Sequence, residues 1–522
     1  MIRRSRRLGI AALLAAPLTL TACAAPIPTD AEWHPRTPES VSELAAAGED
    51  IGFASIDPAE LDGVTQHRTV STDLGVDLRW PEVAGADGLN EAVEQHQWAL
   101  IEQRESASGV AYAPQAQEAG AGLGPDARGC APGATTASVE ELRETATEAD
   151  LVSTCEIVAA GGGMLGIRWR TLEGEDERLE TSYYDALTGA EYSVADLLDL
   201  DDAAMDTLWH EAVQAMRVDA GALTLWPTGE PAVLDDAARE QFGAALAAGV
   251  LEPDGSLVLD VPGGFDSPEL EALPGREDAA HHDRIRFAPD AIAPFLNDSG
   301  RSALELLGED SPWQPPQSDV LGAHADCDLV ACLALTYDDG PNPEMAGLLD
   351  SLAEHGAVAT FFFIGSSVSG NADIVQRTQD EGHEVANHSW SHPDLTTLKP
   401  KEIREQIDRT QDAIAAITGV APTLVRPPYG AFDDAVVGAC DQPLVLWDVD
   451  TLDWEDPPVE ELTADAVGTP EAGSIVLMHS IHDGSIEATP GIVDGLHDRG
   501  FELVTVSGMF DGAVPGVVYS GR

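Results

Sequence analysis

The chain predicts an α/β protein built in two parts: an α+β region first, then a parallel α/β sheet or barrel at the C-terminal end. Three observations carry that expectation. With 522 residues the chain is too long for one ordinary core, so two or three domains are expected. From about residue 329 onward, short apolar runs alternate with helix-period segments, which is the pattern of strands joined by crossover helices. Five of those runs stop abruptly in polar, chemically capable side chains, as strands do where their C-terminal ends converge on one face. The hydrophobic share of 43% is that of an ordinary folded protein.

At the N-terminus, Arg3, Arg4, Arg6 and Arg7 precede an apolar stretch over residues 8–20. That stretch is too short for a comfortable membrane span and reads as an export signal. Leu20-Thr21-Ala22-Cys23 follows and resembles a bacterial lipobox, which implies cleavage before Cys23 and acylation of that cysteine. Residues 1–22 are therefore expected to be a lipoprotein signal peptide and 23–45 a tether rich in Pro, Ala and Glu. The mature protein is expected on the extracellular face of the cell membrane, held by its lipid.

Export permits disulfides. Of the six cysteines, Cys23 set aside leaves Cys130, Cys155, Cys327, Cys332 and Cys440. The odd count requires one unpaired thiol or an intermolecular bond. Cys130 with Cys155 and Cys327 with Cys332 are the economical pairs, leaving Cys440. A zinc ribbon is excluded because no paired Cys-x-x-Cys spacing occurs.

Acidic residues outnumber basic ones 92 to 27, for a formal charge of −65, and Lys399 and Lys401 are the only lysines. Such a surface repels nucleic acid. It identifies no partner by itself, and a solvating surface accounts for it.

Residues 46–310 read as the α+β region. Residues 106–136 are rich in Gly, Ala and Pro and predict a loop. Over 164–194 apolar and polar residues alternate, with a hairpin turn at Asp185-Ala186-Leu187-Thr188-Gly189. Met205, Leu208, Val213 and Met216 share one face of a helix expected over 201–218. The segment from Ser182 to Leu198, with its Ser182-Tyr183-Tyr184-Asp185 start, resembles a small domain of lysozyme-sensing anti-sigma factors that also precedes the catalytic part of some peptidoglycan deacetylases. That resemblance spans about 150–300, makes 286–296 the expected closing strand, and implies a cell-wall-facing or protein-binding role. Residues 311–328, with Pro312, Pro315, Pro316 and Gly322, read as a linker.

The domain expected over 329–515 carries the chemistry. Apolar runs at 330–337, 360–364, 384–386, 423–425, 444–447 and 474–478 lead into Asp338-Asp339-Gly340, Gly365, Asn387-His388, Arg426-Pro427-Pro428-Tyr429, Asp448 with Asp450, and His479. A helix is expected over 400–418, with Ile403, Ile407, Ile414 and Ile417 on one face and Gly419 as its stop. Asp338-Asp339-Gly340 alone could be a turn, but adjacent carboxylates after a buried strand repel unless a cation or Arg offsets them. His388 and His392 could be surface histidines; on a helical turn, both imidazoles face one way and suit a metal. Their joint occurrence in order, each at a strand end, argues against the bland readings.

Thr336-Tyr337-Asp338-Asp339-Gly340, His388-Ser389-Trp390-Ser391-His392, Arg426-Pro427-Pro428-Tyr429, Asp450-Thr451-Leu452-Asp453-Trp454 and Leu477-Met478-His479 resemble the five ordered motifs of the NodB-type polysaccharide deacetylases, carbohydrate esterase family 4. The resemblance covers about 325–515 and implies a deformed (β/α) barrel that hydrolyses N-acetyl groups from a polysaccharide. It implies Asp339, His388 and His392 as ligands of a divalent metal, zinc before cobalt or another ion. Asp338 would be the general base, held by Arg426. His479 would be the general acid, oriented by Asp453. The Tyr429 N–H would serve the oxyanion, and Trp454 and Leu477 would wall the acetyl methyl. Tyr337 stands where Phe is commoner and Ser480 where Asp is commoner; neither removes a catalytic group. Lipid anchoring favours peptidoglycan as substrate, with chitin oligomers or acetylated xylan as alternatives. A non-catalytic carbohydrate-binding or lysozyme-sensing lipoprotein is the competing class. A zinc peptidase lacks its His-Glu-x-x-His helix here.

Overall fold

The computed structural model describes residues 43–44, 54–146, 149–219, 234–262, 282–308, 311–316, 325–510 and 513–522. The export signal, Cys23, the tether up to residue 42 and the linker stretch 317–324 lie outside the described residues. No helix among the described residues is long and apolar enough to cross a membrane.

The chain is a mixed α/β protein. Its first sheet runs, in order, Val64–Ser71, Val76–Val83, Leu151–Gly161, Met164–Glu173, Asp176–Asp185 and Glu191–Ser193. Val76–Val83 and Leu151–Gly161 pair parallel; the other neighbours are antiparallel. A parallel pair needs a crossover, supplied here by the helix Asp87–Ser108, which buries Leu89, Val93, Leu100 and Ile101 and stops at Gly109 with φ 73°. The hairpin turn at 185–189 stands as expected: the Leu187 and Thr188 N–H groups both donate to the Asp185 side chain, and Gly189 takes φ 70°. The expected helix is Asp202–Asp219, with Met205, Leu208, Val213 and Met216 buried.

A second, four-stranded sheet holds Glu43–Leu44, His282–Phe287, Leu257–Pro262 and Val250–Leu251. Here one expectation fails. The strand expected over 286–296 ends at Phe287, and Pro289–Ile292 and Ala293–Phe295 are helical turns. Pro289 sits in the first helical turn, where its missing N–H costs nothing, so it starts a turn instead of extending a strand.

In the C-terminal domain, Glu384–Asn387, Thr360–Phe363, Cys332–Asp338, Ile475–His479 and Val449–Asp450 form an all-parallel sheet in that order, and Glu502–Leu503 pairs alongside Cys332 and Leu333. The run at 423–425 is a single bridging residue: Val425 links Asn387 to Leu444. The run at 444–447 forms two strand residues, Leu444–Val445, against Val518–Tyr519. Among the described residues no ladder joins Leu444–Val445 to Val449–Asp450, so the hydrogen-bonded ring stays open there. The helix Pro400–Thr418 matches its expectation, with Gly419 left-handed behind it.

Alternation along Cys332–Asp338 sorts two cores. Leu333, Leu335 and Tyr337 face the helices, packing with Leu348, Leu352, Phe361 and Ile492. Cys332 and Ala334 face the other way, and with Val445, Ile475 and Val504 they join one continuous core with Val76, Leu78, Trp80 and Trp169 of the first sheet. The first sheet therefore covers the end of the C-terminal sheet opposite the polar strand ends. Polar groups lock the junction. Arg128 donates to Glu502 Oε1 at 2.6 Å and to the Phe501 carbonyl at 2.7 Å, while His67 bridges Glu502 Oε1 at 3.2 Å and Glu82 Oε2 at 2.9 Å. Cys130–Cys155 and Cys327–Cys332 are disulfides, and Cys440 is a buried free thiol.

Burial alone would depress the His67 pKa, but Glu502 and then Glu82 lift it to about 10; burial would raise Glu502, but Arg128 and His67 hold it at about 2. His67 therefore contributes stability that is complete below its ordinary value and lost as pH climbs toward 10. Glu502 contributes above its ordinary value and loses it as pH falls toward 2. Urea midpoints should be highest between about pH 5 and 6.5. Glu502→Gln, which leaves Arg128 buried without its carboxylate, should cost about 3–5 kcal/mol in the same titration. A flat pH profile with an unchanged midpoint would remove this junction from the list of stabilising contacts.

Candidate active site

The polar end of the C-terminal sheet is built around Arg426. Its guanidinium is fully buried, lies 4.1 Å from the Phe362 ring centroid and donates to the Val445 and Leu446 carbonyls at 3.3 and 2.9 Å. Nη1 also donates to Thr336 Oγ1 at 2.8 Å and Asp338 Oδ1 at 2.9 Å. Asp338 is thus aimed by a charge-assisted bond.

Asp339 follows in the left-handed region with φ 71°, which turns its carboxylate away from the strand. Its Oδ1 lies 3.7 Å from His388 Nε2 and 3.4 Å from His392 Nε2. One ligand atom from each of these three residues falls within 4.8 Å of the others. His388 Nδ1 lies 2.8 Å from the Arg426 carbonyl; that acceptor makes Nδ1 the protonated nitrogen and leaves the Nε2 lone pair facing Asp339. Burial and then the neighbouring His388 depress the His392 pKa, which also favours the neutral ligand form.

Asp339 Oδ1 supplies the test of whether a cation belongs here. It is buried and accepts no hydrogen bond. A buried carboxylate oxygen without a donor is costly, and a cation shared with two imidazole nitrogens satisfies it. One oxygen and two nitrogens suit zinc and other divalent first-row ions. The residues present fit a metal.

The two histidines do not share a helical turn, as the i,i+4 spacing led one to expect. His388 follows directly on the strand Glu384–Asn387, and the loop then turns at Ser389, φ 64°, and His392, φ 57°. Asn387 Oδ1 accepts the Ser389 N–H, and Gln406 Oε1 accepts the Trp390 and Ser391 N–H groups from the facing helix. A helix would place the imidazoles one turn apart on one face. Two left-handed residues instead fold the loop until the ring centroids are 4.9 Å apart.

Across the sheet, Asp338 and His479 are register partners on adjacent parallel strands. His479 Nδ1 lies 2.8 Å from Asp453 Oδ1, and its backbone N–H donates to Asp453 Oδ2 at 2.7 Å. Burial pushes the His479 pKa down, but the Asp453 hydrogen bond and charge prevail and raise it. Asp453 is held low: burial opposes, and His479 with Ser485 outweighs it. Leu477, two residues before His479, shares its face of the strand and is buried. Tyr429 takes φ 64° in the turn Pro428–Gly430, and its ring meets His392 edge-on at 4.6 Å. Trp454 follows Asp453 in the turn Asp453–Glu455 and is 49% exposed.

Ser485 was missed by the sequence reading. It is fully buried in the first turn of the helix Asp483–Asp498 and donates to Asp453 Oδ2 at 2.5 Å. A serine near a helix start reads as an ordinary cap, and only its burial betrays the bond. Thr336, which the sequence pattern gives no role of its own, supplies the second side-chain oxygen that accepts from Arg426 Nη1. Ser480, where the family favours Asp, spends its N–H and hydroxyl on the Asp338 carbonyl at 3.0 and 3.1 Å.

The cation site makes its own prediction. Zinc titrated calorimetrically into metal-free protein should bind at one site, and Asp339→Asn or His392→Gln should weaken it by at least about 100-fold. Unchanged affinity in either variant would remove that residue from the ligand set.

A profile of the polysaccharide deacetylases matches residues 327–442, which contain Asp338, Asp339, both imidazoles and Arg426; Asp453 and His479 lie beyond the match. PdaC of Bacillus subtilis, a peptidoglycan-N-acetylmuramic acid deacetylase, is 44% identical over 176 residues, 34% of this chain and 38% of that protein. A peptidoglycan-N-acetylglucosamine deacetylase of Bacillus cereus is 37% identical over 186 residues, 34% of this chain and 68% of the other. A chitooligosaccharide deacetylase of Rhizobium leguminosarum bv. trifolii is 38% identical over 188 residues, 32% of this chain and 87% of the other. The match to PdaC thus spans well under half of that relative, and the similarity lies in about a third of this chain. Through that third, the chain belongs to the polysaccharide deacetylase family.

Proposed function

We propose that the C-terminal domain hydrolyses N-acetyl groups from a cell-wall polysaccharide, releasing acetate and leaving a free amino sugar, with the N-acetylglucosamine or N-acetylmuramic acid units of peptidoglycan as the favoured substrate. The observation that carries the reading is the placement of Asp338 and His479 on adjacent strands beside the Asp339, His388 and His392 cluster. A base and an acid on either side of a cation site are what amide hydrolysis needs. The names of the relatives from Bacillus favour peptidoglycan, and the Rhizobium name favours chitin oligomers as the alternative.

When bound, a divalent cation, zinc in this reading, supplies Lewis acidity toward the acetyl carbonyl and toward water. The chain's own residues do the rest. Asp338, held in place by Arg426, takes the proton of the attacking water. The Tyr429 N–H, set by its left-handed backbone, donates to the oxyanion as the carbonyl carbon becomes tetrahedral. His479, kept protonated by Asp453, gives its proton to the departing amine, and Leu477 and Trp454 bound the space for the methyl. Tyr429, Phe432, Leu452, Trp454 and Ile481 are all exposed on the loops of this face. Such an open apolar lip suits sugar faces of a polymer passing across it.

In the same reading the curved C-terminal sheet is a deformed barrel, and the protein is an exported lipoprotein held at the membrane through Cys23. The region before it, similar to the lysozyme-sensor domain, faces the wall or a protein partner.

Acetate release from N-acetylated glucan oligomers, measured with and without a chelator, tests the activity; none on any sugar would leave a carbohydrate-binding module. Asp338→Asn should keep its metal and lose about 10²–10⁴-fold in turnover. The alkaline limb of the rate profile should report deprotonation of His479, and Asp453→Asn should move that limb to lower pH, because the raising contribution is gone. Ser485→Ala should lower kcat about tenfold or more with little change in KM, as expected for a hydrogen bond to a charged group. An unaltered kcat would make Ser485 a packing residue.

A further inference from the structure

The first sheet has a second face, turned away from the shared core, and it is lined with charge. Arg68 and Arg79 are register partners on Val64–Ser71 and Val76–Val83, so both point to this face. They are 5% and 4% exposed. Above them, the segment 121–146, ending in the helix Val139–Thr145, arches over a cavity of about 670 Å³ whose walls include both arginines and Thr154. That volume is in the range of small-ligand sites.

The floor carries unbalanced positive charge. Arg68 makes a two-pronged bond to Asp77, at 2.9 and 2.6 Å. Arg79 reaches the same carboxylate only at 3.4 Å, without hydrogen-bond geometry. Both arginines also donate to the Thr145 carbonyl, at 3.0 and 3.2 Å, which ties the end of the covering helix to the floor. Arg79 Nη1 is left buried with no acceptor. Burial, opposed by Asp77 and reinforced by Arg68, depresses the Arg79 pKa to about 10. Two guanidiniums sharing one carboxylate need an anion, and a planar carboxylate matches their fork.

A free anion is the wrong ligand for a molecule of formal charge −65. The cavity is also walled by Asp126, Glu141 and Glu144 from the covering segment, which favour a cation beside the carboxylate. Most of its remaining wall is Gly and Ala, including Gly129, Gly133 and Ala134, whose small side chains leave room for a slender molecule. A carboxylate below, an ammonium above and a slender middle describe a short peptide of small residues. We propose that this cavity binds the free carboxy-terminal end of a short zwitterionic peptide, with Arg79 as its carboxylate anchor. The site is separate from the deacetylase centre and does not depend on that reading.

Calorimetric titration of the full chain with alanyl-alanine tests the proposal, with the L,L and D,D dipeptides run as separate arms. The C-terminal amide and the N-acetyl derivative serve as controls. One of the two dipeptides should bind saturably, and the amide at least about tenfold more weakly, a difference of about 1.4 kcal/mol. Arg79→Gln should cause a similar loss, with Arg79→Lys partly restoring affinity. Ala134→Trp, which fills the cavity from its covering segment without touching the arginines, should abolish binding and keeps the test valid if Arg79→Gln does not fold. Acetate release should be the same in all variants that fold. Binding of the L,L form would point to ordinary peptides, and of the D,D form to wall stems. No saturable binding of either dipeptide up to about 10 mM, equal binding of the amide, or undiminished binding in Ala134→Trp would overturn the proposal.

Discussion

Arg426 is the group on which the arrangement of the polar strand ends depends. Its guanidinium satisfies the Val445 and Leu446 carbonyls, Thr336 and Asp338, while its own carbonyl fixes the His388 ring. One residue therefore aims Asp338, sets the tautomer of His388 and pins the short 444–446 segment that lacks a long ladder of its own. A buried guanidinium is tolerated only with a full set of acceptors. A lysine there would carry the charge without the planar fork, so the substitution would be far from conservative.

The backbone around that centre is unusual in a localised way. Asp339, Ser389, His392, Tyr429, Leu452 and Asp456 are the non-glycine residues with positive φ among those described, and every one lies on the loops of this face. Such conformations cost of order 1–3 kcal/mol each when not glycine, and persist where surrounding contacts over-determine them. Gln406 and Asn387 supply such contacts for the Ser389–His392 loop, and Asp450 Oδ1, accepting the Leu452 N–H at 3.0 Å, for the next. Strain gathered at one face is the backbone counterpart of the depressed and raised pKa values there.

Those same features mark where sequence is legible and where it is not. The strands ending at Asp338, Asn387 and His479 follow from apolar runs that stop in polar residues, and the helix Pro400–Thr418 from its isoleucine spacing and Gly419. The i,i+4 spacing of His388 and His392 misled, because spacing reports helical proximity only when the intervening φ values are helical, and Ser389 is not. Ser485 stayed hidden because its role depends on burial against Asp453, which no local pattern encodes. Pro289 truncated an expected strand although a proline in that position is readable as a helix start. Cys332 and Ala334 plainly face inward by alternation, yet nothing local says that Trp80 and Trp169 will cover them.

That cover has consequences for how the two parts can be thought of. In a parallel sheet wrapped by helices, the inner face must be filled by its own side chains or by something else. Here the inner residues at one end are Cys332 and Ala334, too small to fill the space alone, and the first sheet brings large ones, Trp80, Leu78 and Trp169, into the same core. Removing the N-terminal part would expose that apolar end to water, together with Glu502, whose partners Arg128 and His67 both come from it. The first residues of the expected 311–328 linker do not stand clear of the fold: Trp313, whose indole N–H donates to the Asp62 carbonyl at 2.9 Å, ties them to the first sheet's own approach segment. The strand ends that carry Asp338, Asp339 and His388 are thus backed from below by a sheet that lies outside the Asp339, His388 and His392 cluster.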